Sequence, residues 1–213
     1  MKTLERKNGN EKVEIHLGDS PKQRGVVTYE QPFTVEVVIE GTAPIMFHRY
    51  DCDAMEAKGR AKKGSIEKKT DDLESYCYRV PETGELGFPS ANLKMAILQS
   101  AKFSQDPRSP RKSAMDIFKA GIKISPEVAS FGIKAWDYVD RRGVVVNHGR
   151  VPRSRPCLKS NWRATYFIQV ILPEYISDKF LYEVLARTGK TIGIGELRPD
   201  LGTFQIVKFE RMA

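Results

Sequence analysis

Cysteine, histidine and long apolar runs are all scarce in this 213-residue chain, and each scarcity removes a class of function. Cys52, Cys77 and Cys157 are odd in number and share no close spacing, so they make neither a disulfide framework nor a zinc cluster; they read as free thiols of a reducing compartment. His16, His48 and His148 are the only histidines. No His, Cys, Asp or Glu spacing around them supplies the three or four ligands a metal needs, and nothing implies another cofactor. The most apolar stretch, near Tyr166 to Leu172, falls far short of the roughly 20 residues that span a bilayer, and Met1 to Asn8 lack the apolar core of a signal peptide. The expectation is a cytoplasmic protein with no membrane partner. No nucleophile elbow surrounds a serine, and Cys157 has no neighbouring histidine in a recognisable pattern, so hydrolase chemistry of that type is disfavoured. The pairs Asp71-Asp72 and Asp51/Asp53 read as helix caps or lysine counter-charges rather than Mg²⁺ ligands.

Acidic residues are missing altogether between Arg141 and Arg163, and this absence carries the most information. That segment holds Arg141, Arg142, Arg150, Arg153, Arg155, Lys159 and Arg163. A second basic run contains Lys58, Arg60, Lys62, Lys63, Lys68 and Lys69, offset only by Glu67. The whole chain has 35 Lys+Arg against 27 Asp+Glu, a formal charge of +8, which favours a polyanionic partner and nucleic acid first. Both runs read as loops. Arginine forks pair with phosphate oxygens and release counterions, while Trp136, Tyr138 and Trp162 offer flat faces to unpaired bases. The competing reading is a solvated loop with core aromatics. For Trp162 the core reading wins, because its alternation with Arg163 fits an inward strand position.

The pattern of apolar residues organises the rest. Residues 1–31 are polar and weakly periodic and read as a flexible arm, with one edge strand near Gly25 to Tyr29. Phe33 to Glu40 alternates as a strand closed by Gly41 and Pro44. Residues 52–69 lack apolar periodicity and read as a flexible excursion. Pro89-Ser90 opens a helix whose Leu93, Ala96, Ile97 and Ala101 form an apolar stripe. A basic linker with Pro107 and Pro110 and a short helix from Ser113 to Ala120 follow. Short strand runs come next at Ile122 to Ile124, Val128 to Ile133 and Val144 to Val146. The clearest strand runs from Trp162 to Leu172; Ser177 caps a helix with Phe180, Leu181, Val184 and Leu185, and Phe204 to Phe209 is the last strand. The order predicts an α+β fold with a ferredoxin-like (RRM-like) βαββαβ core in residues 32–213, with basic loop insertions at about 52–70 and 105–160.

Thr191 to Ile206 holds Gly193, Gly195 and Gly202 with Arg198 between them. A dinucleotide fingerprint or P-loop follows a strand and opens a helix; this loop follows a helix and opens a strand, which disfavours a nucleotide enzyme. Two readings stay open. Gly193 and Gly195 bring backbone N–H groups to a phosphate that Arg198 pairs with, or the glycines serve a left-handed helix terminus and a tight return to the sheet.

Phe88-Pro89-Ser90-Ala91-Asn92-Leu93-Lys94-Met95-Ala96-Ile97 is similar to the helix start of RAMP proteins, the RNA-binding ferredoxin-like subunits of CRISPR effector complexes. Ile192-Gly193-Ile194-Gly195 through Gly202-Thr203-Phe204 resembles their glycine-rich loop, although Thr203 departs from a Gly-aromatic-Gly ending. The chain also resembles phage-encoded RAMP-like proteins, which places it in the cytoplasm of a phage-infected bacterium. The resemblance implies a sheet whose face and loops meet single-stranded RNA, with subunits stacking into an oligomer or filament.

The leading expectation is a non-catalytic binder of single-stranded RNA or DNA, RNA ahead of DNA, within a homo- or hetero-oligomer. Its contact residues would be Lys58, Arg60, Lys62, Lys63, Arg141, Arg142, His148, Arg150, Arg153, Arg155, Lys159, Gly193, Gly195 and Arg198. The alternative is a metal-independent RAMP-type endoribonuclease: His48 follows the first strand, where the resemblance places a catalytic histidine acting on a 2′-OH or leaving oxygen. A third reading is a phage structural or assembly protein contacting DNA.

Overall fold

The computed structural model describes residues 31–60, 62, 72–146 and 149–212. The expected arm with its edge strand, His16, Lys63, Lys68, Lys69 and His148 lie outside the described residues. The fold is α+β. A four-stranded antiparallel sheet has the order β11-β1-β10-β6, built from β1 (Phe33–Gly41), β6 (Ile122–Ser125), β10 (Arg163–Val170) and β11 (Phe204–Arg211). Period-2 alternation sets its two faces. Val35, Val37 and Ile39 of β1 and Ala164, Tyr166, Ile168 and Val170 of β10 are buried. Against them lie α2 (Ser90–Ala101), α3 (Met115–Gly121) and α4 (Asp178–Arg187). The helices bury the stripes their sequences predict: Leu93, Ala96, Ile97 and Ala101 in α2, and Leu181, Val184 and Leu185 in α4. Ser177 caps α4 by accepting from the Phe180 amide, which satisfies one orphan donor of the first turn.

The opposite face of the sheet is polar and, across β1, β10 and β11, electrically matched. Register places Glu36 opposite Glu210 and Glu40 opposite both Arg163 and Gln205. Lys208 pairs with Glu36 and Glu210, Arg163 pairs with Glu40, and Gln205 donates to Glu40. These carboxylates answer their neighbouring cations within the protein.

A second sheet joins β2 (Ile45–Met46), β9 (Gly149–Leu158) and β8 (Tyr138–Val146). β2 covers β9 only at Cys157 and Leu158, while β8 and β9 stay paired from Tyr138↔Cys157 to Val146↔Gly149. Burial in β9 is confined to Arg155–Leu158. The rest of the ladder is therefore a two-stranded arm reaching about 20 Å past its root, at about 3.4 Å per residue. Two short pairs complete the described residues: β3 (Gly87–Pro89) with β7 (Val128–Ser130), and β4 (Gln105–Asp106) with β5 (Ser109–Ser113).

Two segments expected as loops are regular. The basic run from Arg141 onward is this hairpin, because Val139, Val144, Val145, Val146 and Val151 favour extended backbone. The start of the 52–69 excursion is α1 (Cys52–Arg60). It lacks an apolar stripe and is held locally: Asp51 accepts from the Ala54 amide at 3.1 Å, and Glu56 pairs with Arg60 at 2.9 Å, an i,i+4 contact.

Candidate nucleic-acid interface

The hairpin arranges its cations by face. Residues directly opposite in an antiparallel pair point to the same side, so Asp140, Arg142, Arg153 and Arg155 share one face, with Asp140 opposite Arg155 and Arg142 opposite Arg153. Arg141 and Arg150 belong to the other. Arg142 grips Asp140 through two N–H groups; this hydrogen bonding holds the Asp140 carboxyl below its usual range. Arg141 and Arg150 are exposed and make no ion pair among the described residues. Two guanidiniums placed directly opposite, Arg142 and Arg153, do not help a strand pair form.

The carboxylates missing from residues 141–163 come from elsewhere in the chain. Glu196 reaches Arg155 at 3.6 Å, Glu40 takes Arg163, and Asp137 accepts from the Lys159 backbone amide at 2.7 Å. Arg155 is only 8% exposed, so it belongs to the root of the hairpin rather than its surface. Trp162 is buried; its indole N–H donates to the Ala43 carbonyl, and its ring packs against Gly41 and Phe131.

Behind the root lies the glycine loop. A wide π turn (Thr188–Ile192) ends α4, and Gly193 leaves it at φ +72°. Gly193 donates its amide to the Thr188 carbonyl, and Ile194 donates to the carbonyl of Gly202. A Cβ on Gly202, at φ +73°, would collide with the Ile194 carbonyl oxygen. The two chain passages therefore touch backbone to backbone, which only glycine permits. The Gly193 amide is engaged inside the protein. Gly195, at φ +91°, sits against Ile45 and Met46, and the Glu196 amide that follows donates to the Met46 carbonyl. This anchoring places the Glu196 carboxylate between two nitrogen-bearing side chains, those of His48 and Arg155.

His48 is one of them: its Nδ1 lies 3.4 Å from Glu196 Oε1, and its side chain is 41% exposed. The ring meets Tyr76 edge-on at 5.4 Å, and Lys58 of α1 stands 6.0 Å over Tyr76. His48, Glu196, Arg198, Asn92, Met95 and Tyr78 line a cavity of about 220 Å³. Arg198 is exposed there with no ion pair among the described residues.

The structure thus brings together Lys58, His48, Arg155, Gly195 and Arg198, which the sequence scatters over 150 positions. Arg60 is tied to Glu56 on exposed α1, and Lys62 is exposed beyond it. Sequence reasoning missed Glu196, Tyr76 and Asn92 as members. The signal for Glu196 was its place between Gly195 and Arg198; Tyr76 and Asn92 left none. No cluster of three or more metal-ligating side chains exists among the described residues, and no helix among them is long and apolar enough to cross a membrane.

No family model matches the chain, and no curated protein matches it. Solved structures do. One is the cryo-EM structure of the type III-B Cmr-beta bound to cognate target RNA: the alignment covers 85% of this chain with a TM-score of 0.53 and 11% identity. The chain spans 61% of the length of that structure's chain. The fold is similar to that of this Cmr-beta chain, and at this identity the likeness concerns the fold alone.

Proposed function

We propose that the protein is a non-catalytic, single-stranded nucleic-acid-binding subunit of an oligomer, with RNA as the preferred strand and a RAMP-like ferredoxin core. The strand order β11-β1-β10-β6, with helices between β1 and β6 and between β10 and β11, supports the ferredoxin reading. The RNA bound in the Cmr-beta structure favours RNA over DNA. The reading also keeps the insertion at about 52–70 and a cytoplasmic setting, and narrows the insertion expected at about 105–160 to the stretch after core strand β6 that contains the hairpin.

The observation that carries the proposal is the hairpin: exposed Arg141 and Arg150 on one face, Arg142 and Arg153 facing each other on the other, and Arg198 near its root. Exposed Arg141, Arg150 and Arg198 do little for folding, since exposed charges contribute little to stability, whereas guanidinium forks suit a phosphate backbone. Across β1, β10 and β11 the polar face of the sheet has its cations answered by Glu36, Glu40 and Glu210, so the strand is assigned to the hairpin and glycine loop, with Lys58, Arg60, Lys62 and Lys159 as flanking charge. Arg155 positions Glu196 and the hairpin root. Sequencing the nucleic acid that co-purifies with the protein, followed by competition between RNA and DNA of that sequence, tests the assignment. Recovered RNA that outcompetes the DNA supports it; preference for DNA turns it toward the assembly-protein reading, and absence of any bound or binding strand overturns it.

One observation favours a second reading. A histidine oriented by a carboxylate, His48 with Glu196, beside Arg198 in a cavity, is a unit that can move a proton at a 2′-OH. Cleavage of RNA in EDTA to a 2′,3′-cyclic phosphate, lost in His48→Ala, would establish an endoribonuclease; intact RNA keeps the binding reading.

A further inference from the structure

The largest cavity among those described lies apart from the predicted contact residues. It is an open groove of about 810 Å³ where the segment before β3, the start of α2 and the edge strand β6 meet. That volume lies within the range of small-molecule and cofactor sites. Its cations are Arg49, Arg79, Lys94 and Lys123, and the carboxylate facing them is Glu127.

Their engagement differs. Arg79 is held by both oxygens of Glu74 and by the carbonyls of Gly84 and Lys134, so it is structural. Arg49 stands 3.6 Å from Asp51. Lys94 donates one N–H to the Ile122 carbonyl at 2.8 Å, which leaves two of its three donors. Lys123, next in the chain, is exposed and has no ion pair among the described residues. Two ammonium groups are thereby held around one short stretch of β6. Beside them the lining is apolar: Pro89, Ile124 and Val128, with the Tyr78 ring fixed edge-on against Phe88 at 5.6 Å. Cationic donors next to flat apolar surface match an anion joined to a planar ring.

We propose that this groove is a nucleotide site: Lys94 and Lys123 hold the phosphate, and the base lies against Tyr78, Ile124 and Val128. Tyr78 also lines the smaller cavity at His48 and Glu196, and Asn92 of that cavity follows Ala91 of the groove. In its strand-borne form the inference rests on the RNA-binding reading: the nucleotide is a further unit of the strand gripped by the hairpin. The same chemistry admits a free nucleotide, and the experiment separates the two.

Lys123→Glu is compared with Lys179→Glu, an equal charge reversal on an exposed lysine of α4 that lines neither cavity. Melting temperatures check that both fold, with Lys123→Gln as the milder second variant. Affinities are measured for a 24-nucleotide single-stranded RNA by fluorescence anisotropy and for adenosine monophosphate by calorimetry. The expected result is a fall in RNA affinity of about fivefold or more for Lys123→Glu beyond that of Lys179→Glu, with the log–log salt slope reduced by about one. Monophosphate binding by the wild type, lost in Lys123→Glu while RNA affinity matches the control, assigns the groove to a free nucleotide. If wild type binds RNA and the two charge reversals behave alike on both ligands, the groove inference fails and the hairpin reading stands. If wild type binds monophosphate through Lys123 but no RNA, the groove stands and the hairpin reading fails. Binding of neither ligand overturns both.

Discussion

The β1–β10 pair and the β8–β9 hairpin are both antiparallel ladders, yet opposite physics holds them. In β1 and β10 every second residue is buried against helices, and the one intervening cation, Arg163, meets Glu40 across the sheet. In the hairpin, burial stops at Arg155, and the valines beyond it supply extended backbone rather than a core. The first ladder carries stability. The second is an arm whose exposed Arg141 and Arg150 the scaffold does not need. The difference teaches that Arg141 and Arg150 are to be judged by what they bind.

Breaking the core has the largest expected effect. Phe118→Ala removes a fully buried ring that packs edge-on against Phe180 at 5.3 Å, and should cost about 3–5 kcal/mol. At about 2–4 °C per kcal/mol for a chain of this size, the melting temperature should drop by about 10 °C. A smaller loss, above about 2 kcal/mol, is expected for Gly202→Ala, which forces a left-handed conformation and a backbone collision on Ile194. A thermal midpoint unchanged in Gly202→Ala would show that the two passages of the glycine loop are not packed together.

The hairpin should answer in the opposite way. Arg141→Ala with Arg150→Ala should leave stability within about 1 kcal/mol while weakening single-stranded RNA binding about tenfold, and calorimetry beside anisotropy separates the two. Including Arg155→Ala would blur the comparison, because that change strips Glu196 of a buried partner and should lower the melting temperature as well.

Acid sharpens the contrast from the side of the scaffold. Hydrogen bonds from Arg163, Arg79, Arg108 and Arg142 hold the carboxyls of Glu40, Glu74, Asp106 and Asp140 below their ordinary values. A carboxyl depressed in the folded state contributes stability that is complete above its unfolded pKa and is lost as pH falls through the folded one. Urea midpoints should therefore be level between pH 6 and 8 and decline below about pH 4.5; midpoints that stay level through acid would show that these ion pairs add nothing to the fold. The smallest effect is chemical. Burial raises the Cys157 thiol and pushes Cys77 up to about 12, so at pH 8 a disulfide reagent should label exposed Cys52 rapidly and the other two only after unfolding.

How much was legible follows the same division. Phe33–Gly41, Ser90–Ala101 and Arg163–Val170 were readable because burial imposes periods of 2 and 3.6 on their sequences. Ser177 was readable because a cap is a local hydrogen bond. Apart from a short strand run at Val144 to Val146 the hairpin read as a loop, since a strand buried on neither face carries no alternation, and its other valines were outweighed by its arginines. α1 was invisible for the same reason: Asp51 and the Glu56–Arg60 pair hold it without an apolar stripe. In the candidate site, His48, Arg155, Gly195 and Arg198 were singled out one by one. Glu196, which joins His48 to Arg155 across more than 100 residues, was not, because a long-range pair leaves no mark in local sequence. The absence of acid from Arg141 to Arg163 likewise misled on partners, since Glu40, Asp137 and Glu196 arrive from other elements.

The central claim is that the hairpin arginines serve an anionic strand rather than the fold, and the salt dependence of RNA affinity tests it most directly. For wild-type protein the logarithm of affinity should fall with the logarithm of salt at a slope of magnitude about 3–6, and Arg141→Ala with Arg150→Ala should reduce that magnitude by about two. An unchanged slope in the double variant, or no salt dependence in the wild type, would contradict the account.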